Sequence, residues 1–244
     1  MKVGPSPKWL SNYLHAYGIK SINNVVDISN FVMVETGQPL HYYDLSKLPH
    51  HEITVVDDVE MTMQALDGQD YEIKKGDLLI TTGGEPTGIA GIMGGEESKI
   101  DESTTSIFIE AAVFNAVSIR NTSRRLGLST EAAMHFTKGV EPMAPIKAVD
   151  RSVQLLKELA EADGFEENVL VGTIEDPVKT VSETLTHCNT LLGTEFTMDQ
   201  VLGVLKDLDL NSRPGRRLLY LHDPILPHRF KYPRRHRRRN PSAC

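Results

Sequence analysis

The order of hydrophobic periods along the chain constrains its fold most. Apolar residues recur every three to four positions in 6–18, 21–37 and 141–164, which is the period of an amphipathic helix, and 115–127 is predicted to be a polar helix. Between the second and third of these segments lie short β-rich runs separated by turns containing glycine and aspartate: ITVVDD, MTMQAL, DYEI, DLLITT and SIFIEAAV. Helices on both sides of a mainly antiparallel set of strands predict an α+β, or layered α/β, architecture.

The first helical segment carries clear start and stop signals. Ser6 is predicted to be its N-cap, Pro7 its first residue and Gly18 its C-terminal cap. These three residues make it the best-defined element of the sequence.

A domain boundary is predicted near residue 165, where the last long helix gives way to a stretch rich in Gly, Glu, Asp and Pro. We assign 1–165 to one domain and 166–210 to the start of a small helical domain. Two short helices are predicted in this second domain, and Thr197 is predicted to cap the second of them. The apolar face of that helix carries Val201, Val204, Leu205 and Leu208.

Charge is distributed unevenly along the chain. Residues 211–244 hold ten of the 26 basic residues and one of the 33 acidic ones, so the net charge is +9 there and −16 before it. This asymmetry is typical of a nucleic-acid-binding tail. The tail has no helical or strand period, however, and we expect it to lack regular structure.

Several protein classes are disfavoured by what the sequence lacks. It has no apolar signal segment and no run of 18 apolar residues, so we expect a cytoplasmic protein that does not bind membranes. Cys188 and Cys244 are too few for a disulfide framework or a cysteine-rich zinc site. The absence of H-E-x-x-H, C-x-x-C and G-x-S-x-G argues against zinc and serine-hydrolase chemistry, and no metal site is expected.

The segment GIAGIMGGEES, residues 88–98, has four glycines among its first eight residues. Glycine is favoured where a side chain would block a close approach or where φ is positive. Phosphate is the obvious ligand for such a segment. Its glycines fit neither G-x-x-x-x-G-K-[ST] nor G-x-G-x-x-G, so we expect it to admit a different ligand.

Three polar residues are candidates for chemistry, and each has a structural alternative. His41 lies between a helix and the first strand, near aromatic residues, where a histidine is more often packed than catalytic. Alternation places Glu110 on one face with Phe108 and Ala112, so it is either an exposed strand-end residue or a polar group inside a pocket. Thr130 follows a turn, and its hydroxyl is either a helix cap or part of a site.

Four segments together resemble the editing domain of the β subunit of bacterial phenylalanyl-tRNA synthetases. The resemblance covers about residues 3–160 in the family's order and spacing, and residues 175–210 resemble the start of the small helical domain that follows. The family's N-terminal modules, catalytic-like core and anticodon-binding end find no match, so we expect a fragment. The segments are SINNVVDISNFVMVETGQPLHYYDLSKL, GIAGIMGGEES, FIEAAVFNAVSIRNTSRRLGL and STEAAMHFTKGVEP.

The resemblance implies a pocket built from His41, Gly94, Glu110, Thr130 and Ala132. By that resemblance, the Gly94 N–H and the Glu110 carboxylate read the phenolic hydroxyl of a mischarged tyrosine, and Ala132 and Thr130 shape the pocket. His41 lies near the scissile ester and the tRNA 3′ end. His41 and Thr130 are then the candidate catalytic residues, and a positioned water hydrolyses Tyr-tRNA(Phe).

The resemblance also implies partners and cofactors. The acceptor end of tRNA(Phe) is the expected substrate partner, and the α subunit of an α2β2 ligase is the expected protein partner, with no DNA. No cofactor is expected in this fragment, whereas the full-length ligase uses ATP and Mg²⁺. Arg120, Arg124 and Arg125 form a small basic patch on a predicted helix, which is either a phosphate contact or a solvated face.

The tail, residues 211–244, departs from the family. If residues 216–240 are read one base forward, synonymous codons permit DDFFTFTIPSYRIDLNTHEDIAEEI, which resembles the family's next segment. We therefore predict that the tail is an out-of-frame translation and poorly ordered. A disordered basic arm and a nucleic-acid-binding arm are the alternatives.

Two other functions remain open from sequence. The chain could bind tRNA or a free aromatic amino acid without hydrolysing anything. It could also bind DNA, through a helix-turn-helix-like second domain and the basic tail.

Overall fold

The structure is a computed structural model that describes residues 1–173, 179–208, 210–214 and 219–223. The chain divides into two compact units, Met1–Glu175 and Asp176–Cys244. The first unit extends past the predicted boundary at residue 165, through residues 161–171, which form no helix or strand. Among the described residues, no helix is long and apolar enough to cross a membrane.

The first unit alternates helical and strand-rich stretches. The helices described in it are α1 (Lys8–Tyr17), α2 (Asn24–Thr36), α3 (Ala116–Leu126), α4 (Glu131–Lys138) and α5 (Ala144–Leu159). Its described strands are β1 (Leu40–Asp44), β2 (Thr54–Val56), β3 (Met61–Gln64), β4 (Asp70–Ile73), β5 (Leu79–Thr82), β6 (Glu85–Ile89), β7 (Met93–Gly94) and β8 (Ile107–Ala111).

The described strands of this unit pair antiparallel throughout. β1 and β8 form a two-stranded ribbon, β3 and β4 form another, and the remaining strands form a sheet in the order β2–β5–β6–β7. The predicted α+β class is confirmed. The strands are divided among small separate sheets rather than joined in one.

The β1–β8 ribbon separates two layers because its side chains alternate between its faces. One face packs into a core shared with α1, α2 and α5 through Leu40, Tyr42, Ile107 and Ile109. The other face carries His41, Tyr43, Phe108 and Glu110, and its rings pack against Ile80 of β5 and Ala90. The ribbon therefore presents a polar pair, His41 and Glu110, towards the four-stranded sheet.

The start of α1 differs from the prediction. Pro7, not Ser6, is the N-cap residue, and no side chain caps the helix. The Ser6 hydroxyl instead donates to Oδ2 of Asp27 at 2.6 Å, and Ser21 donates to the same oxygen. Asp27 is fully buried, and a buried carboxylate needs such donors. Gly18 ends α1 in the left-handed conformation, as predicted.

Sequence analysis did not predict β1, β6, β7 or α4. The β1 sequence, LHYYD, has no apolar–polar alternation because both of its faces are covered, one by the helices and one by the sheet. β7 has two residues and is defined by its pairing with β6, which no local pattern encodes.

The second unit contains, among its described residues, β9 (Lys179–Glu183), α6 (Leu185–Leu192), α7 (Met198–Asp207), β10 (Asn211–Pro214) and β11 (Leu219–Asp223). The two predicted short helices are present, and Thr197 caps α7 in a capping box with Gln200.

The prediction that residues 211–244 lack regular structure is wrong at β10 and β11, which pair in the order β10–β11–β9. Strand pairing uses backbone groups, so it does not require an apolar period. Residues 215–218 and 224–244 lie outside the described residues, and the out-of-frame origin of the tail stays a prediction.

Gly91→Ala is expected to destabilise the first unit more than Gly127→Ala. Both glycines have positive φ, +65° and +71°, so alanine is strained at each by about 1 kcal/mol. At Gly91 the new Cβ would also lie 2.9 Å from the rings of Phe114 and Phe136, whereas nothing lies within 4 Å of it at Gly127. Overpacking of this kind costs roughly 1–3 kcal/mol more. Chemical denaturation measures both losses, and equal losses would show that the rings move aside without cost.

Candidate functional site

A small cavity lies between the β1–β8 ribbon and residues 88–98, which we call the glycine segment. Its volume is about 60 Å³. It is lined by residues from β1, β5–β8, α4 and the loops beside them: Pro39, Leu40, His41, Tyr43, Ile80, Gly88, Ile89, Gly91, Ile92, Met93, Gly94, Glu110, Ala132 and Phe136. Four of the five predicted pocket residues are therefore brought together here, and Thr130 is not among the lining residues.

The strand register places His41 and Glu110 directly opposite each other. Opposite residues of an antiparallel pair project from the same face, so the imidazole and the carboxyl enter the cavity side by side. Glu110 shares this face with Phe108, as alternation predicted. It is half-buried inside the pocket, which excludes the alternative of an exposed strand-end residue.

Sequence analysis missed Tyr43, which contacts both polar residues. Its hydroxyl donates to Oε2 of Glu110 at 2.5 Å, and its ring lies edge-on to the His41 ring with centroids 4.4 Å apart. Its position two residues after His41 was the available signal, because alternate residues of a strand share a face. Using that signal required β1 to be recognised as a strand.

Burial shifts both titratable residues away from their charged forms. It raises the pKa of Glu110 to about 7, although the hydrogen bond from Tyr43 opposes the shift. It lowers the pKa of His41 to about 4. Near neutral pH the imidazole is therefore neutral, and the carboxyl is divided between its neutral and ionised forms.

The glycines of residues 88–95 allow side chains from other elements to approach the backbone. A Cβ on Gly94 would overlap the His41 imidazole, and one on Gly88 would lie 3.7 Å from the Tyr43 hydroxyl. A Cβ on Gly91 would meet the rings of Phe114 and Phe136. In this structure the space is filled by the protein's own rings.

Thr130 uses its hydroxyl to hold α4 against the glycine segment. The hydroxyl donates to the carbonyl of Ile92 at 2.8 Å and accepts from the N–H of Ala133 at 3.1 Å, as the N-cap of α4. This matches the capping alternative. Because Ala132 and Phe136 on α4 line the cavity, Thr130 shapes its wall indirectly.

The three arginines of the predicted basic patch have different environments. Arg120 donates to the Thr137 carbonyl at 2.8 Å, and Arg125 binds the buried carboxylate of Asp77. Arg124 is exposed, and its guanidinium makes no hydrogen bond or ion pair with the residues that the structure describes. Two of the three cations thus stabilise the fold.

The rest of the described structure offers weaker candidates. An open groove of about 470 Å³ at the end of α1 has no carboxylate in its lining, which consists of Ser11, Asn12, His15, Gly18, Ile19, Lys20 and Ser21. No group of three or more His, Cys, Asp or Glu side chains within the described residues could hold a metal ion.

Comparison with known families assigns the region that contains the cavity to a protein family. The family described as the B3/4 domain matches residues 1–161, from the chain start through α5. The chain belongs to the B3/4 domain family. All residues that line the cavity lie within the matched B3/4 domain.

Curated relatives of this B3/4 domain are phenylalanine–tRNA ligase beta subunits. The subunit of Staphylococcus haemolyticus is 39% identical over 213 residues, which are 87% of this chain and 27% of the relative. Those of Oceanobacillus iheyensis and Geobacter sulfurreducens are 37% and 39% identical, covering 91% and 86% of this chain and 28% and 26% of the relatives. The chain thus spans about a quarter of the length of these relatives.

A solved structure also matches. It is an N-terminal fragment of the phenylalanyl-tRNA synthetase beta subunit from Pyrococcus horikoshii, with a TM-score of 0.41 and 12% identity over 82% of this chain and 59% of that one.

Arg125→Ala is expected to destabilise the B3/4 domain, whereas Arg124→Ala is not. Removing Arg125 leaves the buried Asp77 carboxylate without its cationic partner, which costs roughly 1–3 kcal/mol. Arg124 is its neighbour on α3 and exposed, so truncating it changes stability by less than about 0.5 kcal/mol. Urea denaturation of both variants checks this. Equal stability of the two would mean that the ion pair contributes nothing.

Glu110→Gln is expected to change how stability depends on pH. Because the pKa of Glu110 rises from 4.5 to about 7 on folding, the folded protein binds more protons here between those values, and the free energy of unfolding falls as pH rises through that window. Glutamine does not titrate, so the variant gains stability relative to wild type from pH 5 to pH 8.

His41 contributes with the opposite sign. Its pKa falls from 6.5 to about 4 on folding, so its contribution is lost as pH falls through that window. This contribution is common to both proteins and cancels in their difference. A variant-minus-wild-type difference that is constant with pH would contradict a raised Glu110 pKa.

Proposed function

We propose that this B3/4 domain hydrolyses tyrosine that has been attached to tRNA(Phe) and spares phenylalanine on the same tRNA. The observation that carries the proposal is the state of Glu110 in the cavity. One carboxyl oxygen, Oε2, accepts from Tyr43, and the other, Oε1, accepts no hydrogen bond from the described residues. An acceptor free in this way suits the O–H donor of a tyrosine side chain.

The selectivity follows from the cost of leaving buried polar groups unpaired. A hydrophobic pocket rejects an added hydroxyl by only about 10²-fold, so a synthetic site built for phenylalanine admits some tyrosine. A site built to bond a hydroxyl rejects the analogue that lacks it by roughly 10⁴–10⁵-fold. Glu110 supplies that discrimination here, together with the backbone N–H of Gly94.

Water is the nucleophile in this proposal. Its oxygen bonds to the ester carbonyl carbon, the bond to the ribose oxygen breaks, and its proton passes to the ribose oxygen. His41, with a pKa of about 4, is too weak a base to take that proton efficiently, so it orients the water or the tRNA end. Thr130 supports the site by fixing α4.

Entry of the aromatic ring requires a side-chain movement. The cavity of about 60 Å³ is small beside the roughly 300–1,000 Å³ of typical ligand sites. Leu66, whose side chain lies against Gly94, is the group that moves aside. Leu66 is exposed and free to do so.

The rest of the proposal concerns the longer protein. The longer protein is a β subunit, and it pairs with an α subunit to form an α2β2 ligase in the cytoplasm. ATP and Mg²⁺ act at a synthetic site outside this chain. The tRNA acceptor end lies at the mouth of the cavity. Of the three arginines in the predicted basic patch, Arg124 is the one that we propose to contact its phosphates. Residues 1–210 have a net charge of −16 and bind RNA weakly by themselves.

The isolated chain is expected to hydrolyse Tyr-tRNA(Phe) slowly, without added metal, and Phe-tRNA(Phe) much more slowly. Deacylation of the two charged tRNAs, with and without EDTA, measures this. Binding of either tRNA with no release of amino acid would favour the alternative of a binding module.

Glu110→Ala is expected to reduce Tyr-tRNA(Phe) hydrolysis by about ten- to a hundredfold, because a charge-assisted hydrogen bond to the substrate is lost. Hydrolysis of Phe-tRNA(Phe) does not fall, since phenylalanine makes no such bond. Glu97, an exposed glutamate within residues 88–98, supplies the matched control, and Glu97→Ala keeps the wild-type ratio. An unchanged Tyr/Phe ratio in Glu110→Ala, with only a lower melting temperature, would assign Glu110 a structural role.

A further inference from the structure

We infer that Tyr43 is a positioning residue that holds the Glu110 carboxylate so that its second oxygen faces the cavity as an acceptor for a phenolic hydroxyl. The inference deepens the proposed function and rests on it for the identity of the substrate. The contact itself, a phenol on one oxygen of a half-buried carboxyl, does not depend on that function.

Packing fixes the Tyr43 hydroxyl in place. Tyr43 is 1% exposed, and its ring centroid lies 4.4 Å from that of His41 and 6.4 Å from that of Phe108. Its hydroxyl lies over Gly88, where no side chain intervenes. A donor fixed in this way restrains the carboxyl oxygen that it binds, because the O–H points at that oxygen.

The remaining surroundings of Glu110 supply no competing charge. His41 and Tyr43 are the titratable residues that line the cavity with it, and His41 is neutral near pH 7. The sheet and α4 contribute glycine, alanine and apolar side chains to the lining. On the far face of the ribbon, α5 packs through Ala148, Ser152 and Leu155, which carry no charge.

The short hydrogen bond also shifts the balance between the neutral and ionised forms of Glu110. A hydrogen bond to the ionised form stabilises that form and opposes the effect of burial. Without the Tyr43 hydroxyl, the carboxyl remains protonated to higher pH, and a protonated carboxyl offers a donor where the phenolic hydrogen needs an acceptor. Tyr43 thus increases the fraction of Glu110 that is ionised, and so able to accept, near neutral pH.

The test compares Tyr43→Phe with Tyr42→Phe. Both changes remove one hydroxyl from a buried tyrosine, and both break a 2.5 Å hydrogen bond. The Tyr42 hydroxyl bonds to Ser152 in the helical core on the other face of the ribbon, away from Glu110. Tyr42→Phe therefore controls for the loss of stability.

In Tyr43→Phe, the titration of Glu110 is expected to move upward by about one pH unit. This titration is followed by carbon NMR of the full-length chain labelled in its glutamates, and the signal that is missing from Glu110→Gln is assigned to Glu110. The pH midpoint of Tyr-tRNA(Phe) hydrolysis moves by the same amount. The rate consequently falls about fivefold at pH 7 and less than about 1.5-fold at pH 8.5. Tyr42→Phe keeps the wild-type midpoint in both measurements.

Two failures are distinguishable. If wild type hydrolyses neither charged tRNA, the proposed function is wrong, and the NMR titration still decides whether Tyr43 controls Glu110. If wild type hydrolyses Tyr-tRNA(Phe) but Tyr43→Phe leaves both midpoints unchanged, or Tyr42→Phe shifts them equally, the role of Tyr43 is overturned.

Discussion

The antiparallel pairing of β1 with β8 determines where the rest of the first unit lies, because the two faces of this ribbon belong to different layers. Its strands are far apart in the sequence, and Gln38 joins their ends with one fully buried amide that donates to the carbonyls of Pro39 and Ala112. One face supports the core of α1, α2 and α5. The other presents His41, Tyr43 and Glu110 to the glycine segment, so the site depends on the same pairing as the core.

Burying the Glu110 carboxyl group costs free energy, and the surrounding protein offsets only part of that cost. Burial disfavours the ionised form, and the Tyr43 hydroxyl stabilises it through one oxygen. A site that is fully satisfied without ligand gains little on binding, whereas a site with one acceptor still free gains a hydrogen bond. In the proposed function, the free acceptor lets one hydroxyl group determine whether a much larger substrate is hydrolysed.

Sequence analysis predicted the elements whose information is local. The period of 3.6 located α1, α2 and α5, α3 was predicted as a polar helix, and the cap residues Gly18 and Thr197 were identified correctly. Strand alternation placed Glu110 with Phe108. Ser6 was misassigned because its hydroxyl is taken by Asp27, a residue far along the chain that no local pattern connects to it.

The site was predicted less completely than the fold, because its residues come from elements that meet only once the chain is folded. His41, Gly94, Glu110 and Ala132 meet in one cavity, but their resemblance to a known family located them, not their spacing. Tyr43 was missed because β1 lacks an alternating pattern. The roles of Arg120 and Arg125 depend on partners in other elements, which are visible only once the chain is folded.

The adjacent tyrosines in β1 have a consequence for how the strand finds its place. A strand that slips by one position exchanges its faces, so one of the two tyrosines would take the place of the other, and ring size alone does not oppose the slip at that place. Their hydroxyl partners differ, since Ser152 lies on one side and Glu110 on the other. The correct alignment satisfies both hydroxyls with fixed partners at 2.5 Å, whereas after a slip only one of the two partners would face a tyrosine. Two partners on opposite faces, each bonded by its own tyrosine, thus specify an alignment that ring size at a single place leaves ambiguous.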